Sequence, residues 1–308
     1  MTPGRELSMA LDPVVFAAEA LGLPADEWQA RALRSTSRRM ILNCSRQSGK
    51  STIASVKVLH RAVFRPGSLC LVISPSLRQS GELFRKVGVA RAALTWLPED
   101  LEVSRTALML ANGSRILSLP GAEDTIRGFS AVDLAIEDEA AQVDDDLYRA
   151  VRPMLAVSNG ALMLMSTPRG KRGHYWYEYT QGGEEWERYE VKAADCPRIP
   201  PAFLASERRA LGDRWYRQEY ECSFEEMQDA VFSWDAVEDA FSATVRPLFD
   251  EADIIDVTVA PLFDVDEIPA EGRGGGGFGA AASKALPPPV SLGGLEQKTG
   301  ENSGEWDR

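Results

Sequence analysis

Histidine is almost missing from this 308-residue chain: only His60 and His174 occur, beside four cysteines, Cys44, Cys70, Cys196 and Cys222. No two cysteines stand in C-x-x-C spacing, so the clustered nitrogen and sulfur ligands of a structural zinc site are not supplied. Free thiols are expected, with Cys70 a core residue of a strand and no disulfides. Long apolar runs are missing too; none approaches the roughly eighteen residues a membrane-spanning helix needs. The start, Met1 to Leu11, lacks the basic and then apolar pattern of a secretory leader. The chain is therefore expected to stay in the cytoplasm in which it is made. Positive charge is scarce as well: 34 Lys and Arg face 46 Asp and Glu, a net charge of -12. Nonspecific nucleic-acid affinity comes mostly from Lys and Arg neutralising phosphates, so a generic nucleic-acid-binding protein is excluded and any DNA contact must be local. About seven of the net negative charges follow Thr244, which leaves basic clusters at Arg34-Ser35-Thr36-Ser37-Arg38-Arg39 and Arg169-Gly170-Lys171-Arg172.

The chain does hold enough apolar residues, 44 %, to bury one large domain, or one domain and an appendage. From about Asp12 to Ala243, short apolar runs alternate with amphipathic segments, the pattern of crossover helices covering a mostly parallel sheet. Strands are predicted at Met40 to Asn43, Leu69 to Ser74, Val132 to Ile136, Ala161 to Ser166 and Trp186 to Lys192. Ala107 to Leu110 and Arg115 to Leu119 flank Asn112-Gly113, a pair suited to a tight hairpin turn. Helices are predicted at Pro13 to Leu21, Glu27 to Ser35, Lys50 to Phe64, Leu77 to Leu94, Asp145 to Ala156, Pro201 to Leu211 and Arg214 to Phe224. The fold class is α/β, with residues 1–244 forming the domain. Residues 245–308, rich in Gly, Pro and acidic residues, read as a low-order tail.

The chemistry concentrates in three places. Cys44-Ser45-Arg46-Gln47-Ser48-Gly49-Lys50-Ser51-Thr52 sits between an apolar strand and a helix and reads as a phosphate-binding P-loop. Backbone N–H groups and the helix N-terminus surround phosphates, Lys50 reaches the β and γ phosphates, and Ser51 offers a hydroxyl to Mg2+. Cys44 stands where the first glycine of the usual pattern would be. Downstream, Leu134-Ala135-Ile136-Glu137-Asp138-Glu139 ends an apolar run in carboxylates, as a nucleotide hydrolase requires: Asp138 for the magnesium shell and Glu139 to polarise water. Glu137 departs from the apolar residue normal there, and a register in which Glu137 and Glu139 exchange roles is the alternative. Ser166-Thr167-Pro168 can sense the γ phosphate at a neighbouring strand end and couple chemistry to motion. Gln29, after Trp28, can pair with an adenine edge. Of the consecutive aromatics Tyr175, Trp176 and Tyr177, two are expected to pack and one to be exposed.

Together these motifs resemble the N-terminal ATPase domain of the large terminase subunits, the DNA-packaging motors of tailed phages, over roughly Pro13 to Phe241. In that family the P-loop lacks its first glycine and reads S-R-Q-x-G-K-S/T, as Ser45 to Ser51 do. The resemblance implies a P-loop NTPase fold of the RecA-like (ASCE) type and ATP as substrate with Mg2+. It assigns Arg46 to ATP binding or hydrolysis, Gln29 to adenine, Asp138 and Glu139 to the acidic pair, and Ser166, Thr167 and Pro168 to coupling. Arg127-Gly128 matches a further family dipeptide. Implied partners are double-stranded DNA, a homo-oligomeric ring, a small terminase subunit and a portal protein, in the host-cell cytoplasm. Complete large terminases continue into a nuclease, whereas the terminase-like segment here ends near Val231-Phe232-Ser233-Trp234, so no nuclease activity is expected.

Two other classes fit parts of the pattern. A helicase shares the P-loop, the Asp-Glu pair and a Ser-Thr motif, and Ser74-Pro75-Ser76 resembles a backbone-gripping segment, but about 70 residues cannot form the second lobe a helicase needs. A silent prophage remnant that only binds a partner is opposed by the intact Lys50, Asp138 and Glu139. A small-molecule P-loop kinase lacks a legible arginine-rich lid.

Overall fold

Alternating strand and helix formers assemble, in the computed structural model, into one eight-stranded sheet with helices on both faces. The structure describes residues 2–121, 126, 128–226 and 240. Arg127, the segment Val231 to Trp234 and the stretch 245–308 lie outside the described residues, and so do the expectations placed on them.

The strands are β1 (Arg39–Cys44), β2 (Leu69–Ser74), β3 (Glu102–Val103), β4 (Ala107–Met109), β5 (Arg115–Pro120), β6 (Leu134–Asp138), β7 (Ala161–Ser166) and β8 (Glu187–Val191). Their order across the sheet is β3-β4-β5-β2-β6-β7-β1-β8. From β5 to β8 all neighbours are parallel, while β3 and β4 form an antiparallel edge. The helices are α1 (Pro3–Leu11), α2 (Pro13–Val15), α3 (Glu27–Arg34), α4 (Lys50–Phe64), α5 (Leu77–Ala93), α6 (Asp145–Met154), α7 (Gly173–Thr180), α8 (Pro201–Leu211) and α9 (Asp213–Tyr220). None of the described helices is long and apolar enough to cross a membrane.

Strand alternation divides the core in two. Met40, Leu42 and Cys44 of β1, Leu134 and Ile136 of β6, and Met163 and Met165 of β7 pack with α4 and α5. Ile41, Ala135, Leu162 and Leu164 pack on the opposite face with Leu147 and Tyr148 of α6 and Tyr175 of α7. The Tyr175 hydroxyl, fully buried, lies 3.1 Å from the carbonyl of Leu42 and 3.2 Å from that of Ser166, which links β1 to β7 beside their C-terminal ends.

Several elements depart from sequence expectation. The helix expected over Pro13 to Leu21 is α-helical only to Val15 and continues as a wider π turn over Phe16–Ala20. The acidic strand begins at Leu134 rather than Val132, because the Asp133 carboxylate accepts the Leu69 N–H at 3.0 Å and takes the place of a ladder bond. Helices α1 and α7 and the short β3 were not anticipated; in α7 three consecutive aromatics hide the helical period. Tyr175 and Trp176 are buried there and Tyr177 is 52 % exposed.

Leu42 is fully buried on β1, between β7 and the edge strand β8. Leu42→Ala is expected to cost about 2–5 kcal/mol through lost burial and the cavity left behind, read from the shift of a urea unfolding curve.

Candidate nucleotide-binding and hydrolytic site

A parallel sheet brings its strand C-termini to one edge, and here β6, β7 and β1 stand side by side there. The acidic pair, the Ser-Thr-Pro motif and the P-loop, separated by up to about 120 residues in the chain, thereby become neighbours.

After Cys44 the chain turns sharply into α4. The Ser45 N–H donates to the Val191 carbonyl at 2.9 Å and the Arg46 N–H to that of Glu219 at 3.1 Å. The Ser48 hydroxyl donates to the Ser45 carbonyl at 2.9 Å. Gln47 and Gly49 adopt positive φ, 62° and 103°, and Gly49 caps α4. A Cβ on Gly49 would lie 2.5 Å from the Gln29 amide nitrogen, so both backbone conformation and space require glycine. The buried Lys50 ammonium donates to the carbonyls of Cys44 and Ser45 at 3.2 and 3.4 Å. Ser51 and Thr52 line an open cleft of about 610 Å3, across which stand Glu139, Lys86 and Arg198.

Gln29 is buried behind the loop. Its amide oxygen accepts the Asp26 N–H at 3.0 Å and its nitrogen reaches the Ser48 carbonyl at 3.5 Å, so this side chain both caps α3 and braces the P-loop. A smaller pocket of about 300 Å3, with Ala17, Leu23, Pro24 and Ile53 in its wall, opens beside it. Arg46 is exposed and ion-paired with Glu219 of α9.

Asp138 ends β6 on the α4 face. Burial, reinforced by the neighbouring Glu139 and partly offset by Lys50, pushes its carboxyl up to about 6. Glu139 leaves the strand in the left-handed region at φ 53°, an uncommon conformation for a side-chain-bearing residue. One Glu139 oxygen lies 3.4 Å from both the Ser166 hydroxyl and the Gln142 amide nitrogen, while the Gln142 oxygen accepts from Arg169 at 2.7 Å. Ser166 and Thr167 are buried beside this contact.

Glu137 points the other way. Fully buried on the α6 and α7 face, it accepts from His174 Nε2 at 3.0 Å. Of the three carboxylates, Glu139 lines the P-loop cleft, Asp138 interacts with Lys50 from the same face of the sheet, and Glu137 does neither. Of the basic residues, Lys171 is paired with Glu226 at 3.1 Å and Arg34 with Asp12 at 2.7 Å. Arg169 and Arg172 open onto a second cleft of about 960 Å3 beside the start of α6, together with Arg149, Asp144 and Asp146.

Lys86, Arg198, Glu219 and Gln142 were not legible in the sequence. They come from α5, from the loop before α8, from α9 and from the turn after Glu139, with no local pattern around them. His174 carried one signal: a charge in an apolar strand needs a cationic or donor partner.

The donor set fits a nucleotide with Mg2+: a helix N-terminus, a lysine and a hydroxyl at Ser51 line one cleft, the Asp138 carboxylate interacts with Lys50 from the strand behind it, and the buried Ser45 hydroxyl has no hydrogen-bond partner among the described residues.

Residues 41–239 match the family described as terminase large subunit, T4likevirus-type, N-terminal. The large terminase subunit of Thermus virus P23-45 is 27 % identical over 253 residues, which cover 70 % of this chain and 52 % of that protein. The large terminase ATPase domain of Thermus phage P74-26 matches with a TM-score of 0.60 and 25 % identity, covering 70 % of this chain and 100 % of that one. The large terminase of the thermophilic bacteriophage D6E in complex with ATP-gamma-S shares the fold, with a TM-score of 0.53 at 12 % identity over 65 % of this chain and 53 % of that one. The chain spans about half the length of the curated relatives it matches.

Gly67 also has positive φ but open space around it, so Gly67→Ala is expected to cost about 1–2 kcal/mol from backbone strain alone. Gly49→Ala is expected to cost more in urea unfolding, from its φ of 103° and from the close approach to Gln29. A second expectation concerns pH. Burial works to lower the His174 pKa, but hydrogen bonds and charge from Glu137 and then Asp145 outweigh it and raise it above its ordinary 6.5. The groups facing the ring are Glu137 of β6 and Asp145 and Tyr148 of α6, with Glu178 and Arg152 behind Tyr148. A raised folded pKa means the contact stabilises fully below the unfolded value and is lost as pH rises through the folded one. The melting-temperature gap between the parent chain and His174→Gln should therefore be wider at about pH 6 than at about pH 9 in thermal melts.

Proposed function

The chain belongs to the family of T4-type terminase large subunits, in their N-terminal part, and from that premise we propose that it is an ATP-hydrolysing motor that moves double-stranded DNA, as in packaging a viral genome into a procapsid. The observation that carries this reading is the contact between Glu139 and Ser166: the carboxylate assigned to hydrolysis touches the motif assigned to coupling, at the cleft that holds the P-loop. The P74-26 ATPase domain and the D6E complex with ATP-gamma-S support it by likeness.

In this reading the loop Ser45, Arg46, Gln47, Ser48, Gly49, Lys50, Ser51 and Thr52 holds the triphosphate, with the base toward Gln29. Lys50 meets the β and γ phosphates from the loop floor, and Arg46, held by Glu219, adds positive charge at the cleft mouth. Magnesium would be held by Ser51 and, through water, Asp138, where it would neutralise phosphate charge. Glu139 orients the attacking water and accepts its proton. Ser166, Thr167 and Pro168 register the loss of the γ phosphate. Arg169, reached from Glu139 through Gln142, carries the change to a DNA-gripping loop that includes Lys171 and Arg172. A motor of this kind acts as a ring in the host cytoplasm, with a small terminase subunit and a portal protein as partners. DNA cleavage is not assigned to these residues.

The test is ATP hydrolysis by the purified chain with and without double-stranded DNA. Hydrolysis should rise with DNA, and Glu139→Gln should lower kcat by about 10²–10⁴-fold while nucleotide still binds. Changing Arg169, Lys171 and Arg172 together to Ala should lower the salt slope of DNA binding by about 2–3. A parent chain that binds ATP but never turns it over, with DNA present, would sink the motor reading; an unchanged salt slope would remove the grip assignment alone.

A further inference from the structure

Glu137 is the most costly residue of β6. Fully buried in a strand whose other positions up to Ile136 are apolar, it has one oxygen on His174 Nε2 at 3.0 Å and the other without a hydrogen-bond partner among the described residues. A buried carboxylate in this state is expensive, and an apolar side chain would pack the strand as well. In some proteins such a group fixes a geometry that apolar contact leaves loose.

The geometry it fixes converges on the ring of His174. Nδ1 of the same ring stands 3.1 Å from an Asp145 oxygen, which also accepts the His174 backbone N–H at 2.7 Å. The ring stacks on Tyr148 with centroids 4.4 Å apart and planes 9° from parallel, and the Tyr148 hydroxyl donates to Glu178 at 2.6 Å. Asp145 opens α6 and His174 lies in the first turn of α7. These helices begin the two segments that leave the catalytic edge, one after Glu139 and the other after Ser166-Thr167-Pro168. One imidazole thus joins β6, two residues before Glu139, to the start of both.

Resting on the hydrolytic reading above, we propose that His174 is a positioning residue: by engaging Glu137 and Asp145 at once it holds Glu139 and Ser166 in the arrangement that hydrolysis needs. It does not line the P-loop cleft, and the helix that follows the P-loop lies on the opposite face of the sheet. Its loss therefore acts on turnover and spares nucleotide binding. Gln in its place can reach one carboxylate but not both.

The experiment uses the full 308-residue chain. His174→Gln is expected to lower kcat about tenfold with nucleotide affinity within about twofold of the parent, the pattern of a misplaced catalytic group. Glu137→Leu combined with His174→Leu removes the buried charge and its partner together; its melting temperature should return to within about 3 °C of the parent while kcat stays about tenfold down. Parental kcat in either variant, or nucleotide affinity that falls in step with kcat, overturns the proposal. Should the double variant not fold, His174→Gln alone decides by the same criteria. Should the parent hydrolyse nothing, the motor reading fails and amide exchange still tests the joint: exchange at 138–143 should be about tenfold faster in His174→Gln, with β1 and β7 unchanged, and equal exchange rates overturn it.

Discussion

Adjacent residues on a strand point to opposite faces of its sheet, so consecutive carboxylates at the end of β6 cannot share an environment. The rest of the candidate site depends on this. Asp138 is sent to the face that carries α4 and the P-loop, and Glu137 to the face of α6 and α7. Glu139 escapes the alternation only by leaving the strand at positive φ, which turns its side chain into the P-loop cleft. A run of three acids that looks like one patch in the sequence is thus three different devices.

The phosphate loop depends on a second constraint, support from behind. Gly49 lies against Gln29, Arg198 donates to the Ser48 carbonyl at 3.0 Å, and Arg198 is itself paired with Asp26 at 2.7 Å. The sequence offers Gln29 as a base-recognition residue. In the structure both ends of its amide have protein partners, and the apolar pocket beside it borders the same residue. The loop is held by residues about 20 positions before it and 150 after it, which no local pattern could have revealed.

Legibility followed the range of the signal. β2, β7, α4 and α8 coincide with their predicted bounds, because apolar runs or amphipathic spacing ended at clear breakers such as Gly49 or Pro201. The P-loop and the acidic pair were legible because their residues are contiguous. The partners Lys86, Gln142 and Glu219 were not, since each is joined to the site only by the tertiary fold. His174 is an intermediate case: Glu137 announced in the sequence that a partner must exist, and only the packing of α7 against β6 identified it.

The position of β7 between β6 and β1 has a mechanical consequence. Hydrogen-bonded in parallel register on both sides, and latched to β1 through Tyr175, this strand cannot tilt or slide without breaking two ladders at once. Any displacement that begins at Ser166 and Thr167 must leave the sheet standing still. What is left free to move is the short loop through Arg169, since the helix after it is itself fastened to β1 by Tyr175 and to β6 by His174; sheet and helix would serve as a fixed frame, and such a displacement would be that of a hinged flap rather than a piston.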